Sequence, residues 1–158
     1  MVKQTQNVHE GVLNKLPPEK LNLLIGEVTS LLMLSKVHRK MQIRDISDIV
    51  LPPVHLNQFR IYRNSKEEPI GLVTWGWFSD EIEKKYLSGD VVLTFGEWNS
   101  GKNLFFTDFI APFGHAKKIF KDLTHNIFPD ETAKTLRFDD HGKHRKNVIH
   151  LYGKNVRN

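Results

Sequence analysis

The chain has 158 residues, 39% hydrophobic and 26% charged, with a formal net charge of +5 and no cysteine. That length supports one domain with a real core and is short for two. The lack of cysteine excludes disulfides, zinc–thiolate sites and any thioester carried on a protein thiol, while the basic balance favours acidic partners without choosing among nucleic acid, anionic membrane and acidic protein.

Residues 1–16 are polar and mixed, without the apolar stretch of a secretory signal, and read as a mobile arm ahead of a single domain over 17–158. No apolar run reaches the ~20 residues of a membrane span, so a cytoplasmic protein is expected. Pro17-Pro18-Glu19 opens a helix with Leu21, Leu24, Ile25, Val28, Leu31, Leu32 and Ser35 on one side. Leu23, Met33 and Leu34 widen its apolar surface and predict a well-buried helix. Continued in phase, it carries His38 at the edge of the apolar face, ringed by Lys36, Arg39, Lys40 and Arg44. A second helix, Ile43 to Val50, is expected to stop at Leu51-Pro52-Pro53.

Gln58–Arg63 and Ile70–Phe78 read as a hairpin around the turn Asn64-Ser65-Lys66-Glu67-Glu68. Ser79-Asp80 caps a helix through Tyr86. Two more strands are expected, Val91–Trp98 and Lys102–Ala111, joined by a turn in which Gly101 supplies a positive φ. A helix over Phe113–Asn126 follows, with Ile119, Leu123 and Ile127 inward. Two short strands, Thr135–Phe138 and Asn147–Tyr152, flank a polar loop. In that loop Asp139, Asp140, His141 and His144 form only a loose, solvated constellation, and no metal site is assigned. The element order is that of an α+β domain, helices on a mostly antiparallel mixed sheet.

Asp108 stands out in this reading. Simple alternation gives it a face with Leu104, Phe106 and Ile110. An ionised carboxylate there is costly without a positive or hydrogen-bonding partner. By themselves, Asp108 and His38 read more readily as structural than as functional.

Three segments change that balance: Ser35-x-x-His38-Arg39, Trp98-x-Ser100-Gly101, and Asp108-x-Ile110-Ala111-Pro112-Phe113-Gly114. With Leu51-Pro52, Asn57-Gln58, Trp75, Glu83 and Tyr86-Leu87, in this order, they resemble the toxin-activating lysine acyltransferases. These are the hemolysin-type enzymes that fatty-acylate repeats-in-toxin protoxins. The resemblance runs from about Leu21 to Gly153. It implies a variant of the Gcn5-related acetyltransferase fold, in which a central strand leads to a helix whose N-terminus faces the donor's phosphates. The usual Arg/Gln-x-x-Gly-x-Gly/Ala loop is absent, and Pro112-Phe113-Gly114-His115 stands in its place. A second departure follows the His-Arg-x segment, where close relatives carry Trp-Pro and this chain has Met41-Gln42.

The resemblance further implies no permanently bound cofactor. The donor would be a fatty acyl thioester on the phosphopantetheine arm of acyl carrier protein, and the acceptor an internal lysine of a protoxin. Neither a nucleic-acid partner nor a membrane span is expected, and a homodimer is left open. A lysine amine, with pKa near ~10.4, must lose a proton to attack the thioester, and histidine suits that task. His38 is the candidate base and Asp108 its orienting carboxylate. Ser35 has several roles open to it: orienting the imidazole, binding the thioester carbonyl, or accepting the acyl group. Arg39, Gly101 and Gly114 are supporting positions, Gly114 at the helix start where a phosphate would sit. Lys117, Lys118 and Lys121 form a further basic face, and Phe105, Phe106 and Phe109 are read as core or as walls of an acyl channel. Two other functions compete: an acyl-coenzyme A-dependent N-acyltransferase, and a non-enzymatic basic binding module.

Overall fold

The computed structural model describes residues 16–89, 91–138 and 144–156. The N-terminal arm and the Asp139-Asp140-His141 loop lie outside them. The first helix, α1 (Pro18–Leu34), buries Val28, Leu31 and Leu32 against the sheet. Its flank stays open: Leu23, Met33 and Leu34 are all more than half exposed, against the expectation of a well-buried helix. Arg63 clamps it to the sheet through a bidentate pair with Glu27, both contacts 2.6 Å.

After α1 the chain continues through α2 (Ile43–Asp45), a π-helical turn (Ile46–Val50) and α3 (Leu51–His55). Pro52-Pro53 therefore does not stop the helix, contrary to the sequence expectation. The wider π turn, with Leu51 N–H donating to Ile46 O, leaves room for rings that would clash in an α-helical interior.

Five strands form one sheet in the order β1 (Phe59–Arg63), β2 (Pro69–Phe78), β3 (Asn103–Ile110), β4 (Thr132–Phe138), β5 (His144–Tyr152). All neighbours are antiparallel except β3 and β4. This is a single α+β domain with a mixed sheet. The β3–β4 pairing covers Leu104–Phe106 against Ala133–Thr135 and stops there. The expected strand over Val91–Trp98 does not form; the segment ends in a 3-10 turn, Phe95–Trp98. Thr94 and Glu97 close a capping box there, which outweighs the alternation of Val91 and Leu93.

Helix α4 (Asp80–Leu87) is capped by Ser79, whose hydroxyl accepts from Ile82 N–H. With α1 and α3 it covers one sheet face, over Phe59, Leu72, Phe78, Phe105 and Ile110. The other face carries Val73, Trp75, Leu104 and Phe106 under α5 (Ala116–Asp122) and its π-helical extension, Leu123–Ile127. Phe105 thus points away from Phe106 and Phe109, so the three phenylalanines do not line one channel. Helix α5 starts at Ala116 rather than Phe113, because Gly114, at φ +80°, turns the chain first.

A β-bulge in β3 sets the geometry that matters most. Trp75 pairs with Phe106, but Thr74 pairs with Asp108, so Thr107 is an extra residue. The bulge reverses the alternation. Asp108 and Ile110 face α1, whereas Leu104 and Phe106 face α5, which corrects the single shared face read from spacing.

Candidate active site

Helix α1 ends at Leu34, and Ser35 adopts an extended backbone. A separate 3-10 turn, His38–Lys40, then carries the histidine. The Ser35 hydroxyl accepts weakly from His38 N–H at 3.4 Å, a side-chain substitute for the helix that has just stopped. The three-residue spacing survives the break, and Ser35 Oγ lies 2.7 Å from His38 Nδ1.

The other ring nitrogen, Nε2, lies 3.2 Å from Asp108 Oδ1, with both side chains buried. Asp108 Oδ2 accepts from the Thr74 hydroxyl at 2.6 Å. Since Thr74 spends its proton there, Thr107 must donate in the 2.8 Å contact between the two hydroxyls. Thr74 Oγ1 also accepts from Asp108 N–H at 3.1 Å. The buried carboxylate therefore has partners on both oxygens, the condition under which its burial is tolerable.

The chain of donors follows. An ionised carboxylate only accepts, so Nε2 carries the proton toward Asp108. In the neutral ring Nδ1 is then bare and accepts from Ser35 O–H. Nearby on α4, burial and then the charge of Asp108 push the Tyr86 phenol well above its ordinary range, so it keeps its proton. The Tyr86 ring packs edge-on against Phe105, at 5.1 Å between centroids.

A cleft of about 180 Å³ opens beside His38. Thr29, Leu32, Met33, Arg39, Met41, Ile43 and Ile46 complete its lining. Of the sequence candidates, His38 and Arg39 line this cleft, and Ser35 and Asp108 join it through their contacts with the His38 ring. Gly101 does not. It precedes β3 at the end far from Asp108, and its φ is not positive. A Cβ there would lie 2.5 Å from Phe78 O and from the Ser79 backbone, so close approach is what requires glycine. Gly114 sits in the turn before α5, where its positive φ is the requirement. Thr74 and Thr107 were missed as site residues, since a threonine in a strand is ordinary and carries no signal.

Residues 18–152 match the RTX toxin acyltransferase family. The chain is 42% identical over 130 residues to an uncharacterized protein of Synechocystis, covering 82% of this chain and 88% of that one. It is 31% identical over 109 residues to the lysine-acyltransferase RtxC of Vibrio cholerae, covering 69% of this chain and 71% of the relative. Against the protein-lysine myristoyltransferase HlyC of Escherichia coli it is 32% identical over 116 residues, 73% of this chain and 67% of the relative. The chain belongs to the RTX toxin acyltransferase family.

Proposed function

We propose that this protein transfers a fatty acyl group from acyl carrier protein to the ε-amino group of internal lysines of a repeats-in-toxin protoxin. The observation that carries the reading is the hydrogen-bonded chain Ser35–His38–Asp108, whose imidazole lines a largely apolar cleft.

Both imidazole nitrogens are engaged, so the substrate amine meets the base through Ser35. The amine nitrogen bonds to the thioester carbonyl carbon as its proton passes to Ser35 Oγ and the serine proton passes to His38 Nδ1. Asp108 holds the imidazolium that forms. The carbon–sulfur bond then breaks, and the departing thiolate takes the proton back along the same path. Direct transfer needs no acyl-enzyme. The exposed Lys36, Arg39, Lys40 and Arg44 suit an acidic carrier protein. At the start of α5, the buried and unpartnered His115 Nδ1 suits a phosphate. The Gcn5-type reading of the fold rests on the same β3-to-α5 passage.

The test is intact mass of the protoxin after coexpression with the full chain. Wild type adds a fatty acyl amide, whereas His38→Ala and Asp108→Asn add none. Equal rates with purified acyl-carrier-protein and acyl-coenzyme A donors would sink the carrier-protein assignment. A stable mass increase on Ser35 or His38 with donor alone would replace direct transfer by a two-step route.

A further inference from the structure

Most walls of the cleft beside His38 are apolar; Leu32, Met41 and Ile46 also pack against the core, whereas Met33 and Ile43 do not. Leu32 and Met33 come from the end of α1, Met41 from the link after the 3-10 turn, and Ile43 and Ile46 from the start of the next helical stretch. Thr29 and Arg39 supply the polar lining besides His38. Two of these walls stand open to solvent. Met33 is 60% exposed and Ile43 is 89% exposed, and the two share one lining rather than lying scattered over the surface.

We propose that this cleft holds the hydrocarbon chain of the acyl group, with the thioester end at His38 and the chain running out between α1 and α2 past Met33 and Ile43. The inference rests on the acyl-transfer reading and names where the chain lies. Methylene groups gain from leaving water and ask for no hydrogen bonds. A peptide segment would bring backbone N–H and C=O groups that these walls cannot satisfy. The phenylalanines expected to line a channel together are divided between the two sheet faces. Met41 lines the cleft next to His38 and Arg39. Its flexible thioether leaves the wall trimmed and adaptable, which makes Met41 the residue that sets chain length.

A photoreactive palmitate, with its diazirine toward the methyl end, is irradiated with the purified full chain and the adducts are mapped by peptide mass spectrometry. Adducts on Met33, Ile43 or Ile46 are expected. Adducts on Trp77, Phe106 or Phe128, on the α5 face, overturn the proposal. So does labelling that falls as protein concentration rises, which would mean that a second copy covers the cleft.

The second arm uses Met41→Trp, with Met41→Leu as the conservative control. Coexpressed with protoxin and offered octanoyl, myristoyl and palmitoyl donors, Met41→Trp should lose palmitoyl relative to octanoyl transfer by about tenfold, and Met41→Leu should keep the wild-type profile. Equal loss at every chain length overturns the assignment. The arms separate the two readings. Labelling in the cleft without acylation of any protoxin defeats the transfer reading alone, and acylation with labelling elsewhere defeats the cleft alone.

Discussion

Thr74 on β2 stands opposite Asp108 on β3, its hydroxyl 2.6 Å from Oδ2, only because Thr107 bulges out of the ladder. With regular pleating Asp108 would face α5, on the far side of the sheet from His38. The bulge falls one residue after the β3–β4 pairing stops, where the strand is free to bend. Bulges that re-aim a side chain are common beside active sites.

Thr74→Val keeps the shape and removes the hydroxyl. Asp108 then loses a partner for Oδ2 and another for its N–H. We expect a loss of about 1–3 kcal/mol in urea unfolding. The acylation rate should fall further than stability explains, because the carboxylate is no longer held toward His38. Thr74→Ser should restore both. Unchanged acylation in Thr74→Val would remove Thr74 from the site.

The His38–Asp108 contact should be non-additive. His38→Ala leaves a buried carboxylate oxygen without its ring partner, a class of change that costs about 1–3 kcal/mol. Adding Asp108→Ala removes the stranded charge, so the double variant should be more stable than the sum of the two single losses predicts. Additive losses in a denaturant cycle would mean that the two side chains do not interact in solution.

Much of this was legible in the sequence. The period of α1, the β1–β2 hairpin and the Ser79 cap of α4 are local signals, and the structure follows them. The misses share a cause: each depends on a non-local or subtle backbone choice. Thr107-Asp108 alternates as well without a bulge as with one. Leu93 and Trp98, which alternation would send to opposite faces, are buried in one cluster, and Phe95 is turned out by the Thr94–Glu97 capping box. Pro52-Pro53 looks terminal until the π turn ahead of it is known. His38 and Asp108 carried no decisive signal singly and were legible only as parts of an ordered set. Thr74, which completes the carboxylate's bonding, was not legible at all.

Two glycines should respond oppositely to alanine. Gly101→Ala drives a methyl to 2.5 Å from Phe78 O and the Ser79 backbone, atoms that cannot yield without shifting the end of β2. A loss of about 1–3 kcal/mol is expected in thermal or urea unfolding. Gly26, within α1, has nothing within 4 Å of the added carbon. Gly26→Ala should therefore stabilise by about 0.5–1 kcal/mol through helix propensity. A neutral Gly101→Ala would show that the close approach relaxes in solution.

Glu97 gives a pH dependence of definite sign. Its Oε1 accepts from Lys85 Nζ at 2.6 Å and its Oε2 accepts from Thr94 N–H at 2.7 Å. The Lys85 ammonium first, and the Thr94 N–H second, hold this carboxyl below its ordinary value of 4.5. A group whose pKa is depressed by folding contributes stability that is fully present above the unfolded value and is lost as pH falls through the folded one. The 3-10 turn that buries Trp98 should accordingly hold at neutral pH and loosen in acid. Glu97→Gln should melt below wild type at pH near 7, and the gap should close below the ordinary carboxyl value of 4.5. Parallel melting curves for the two proteins across that range would show that the Lys85–Glu97–Thr94 arrangement contributes nothing to the fold.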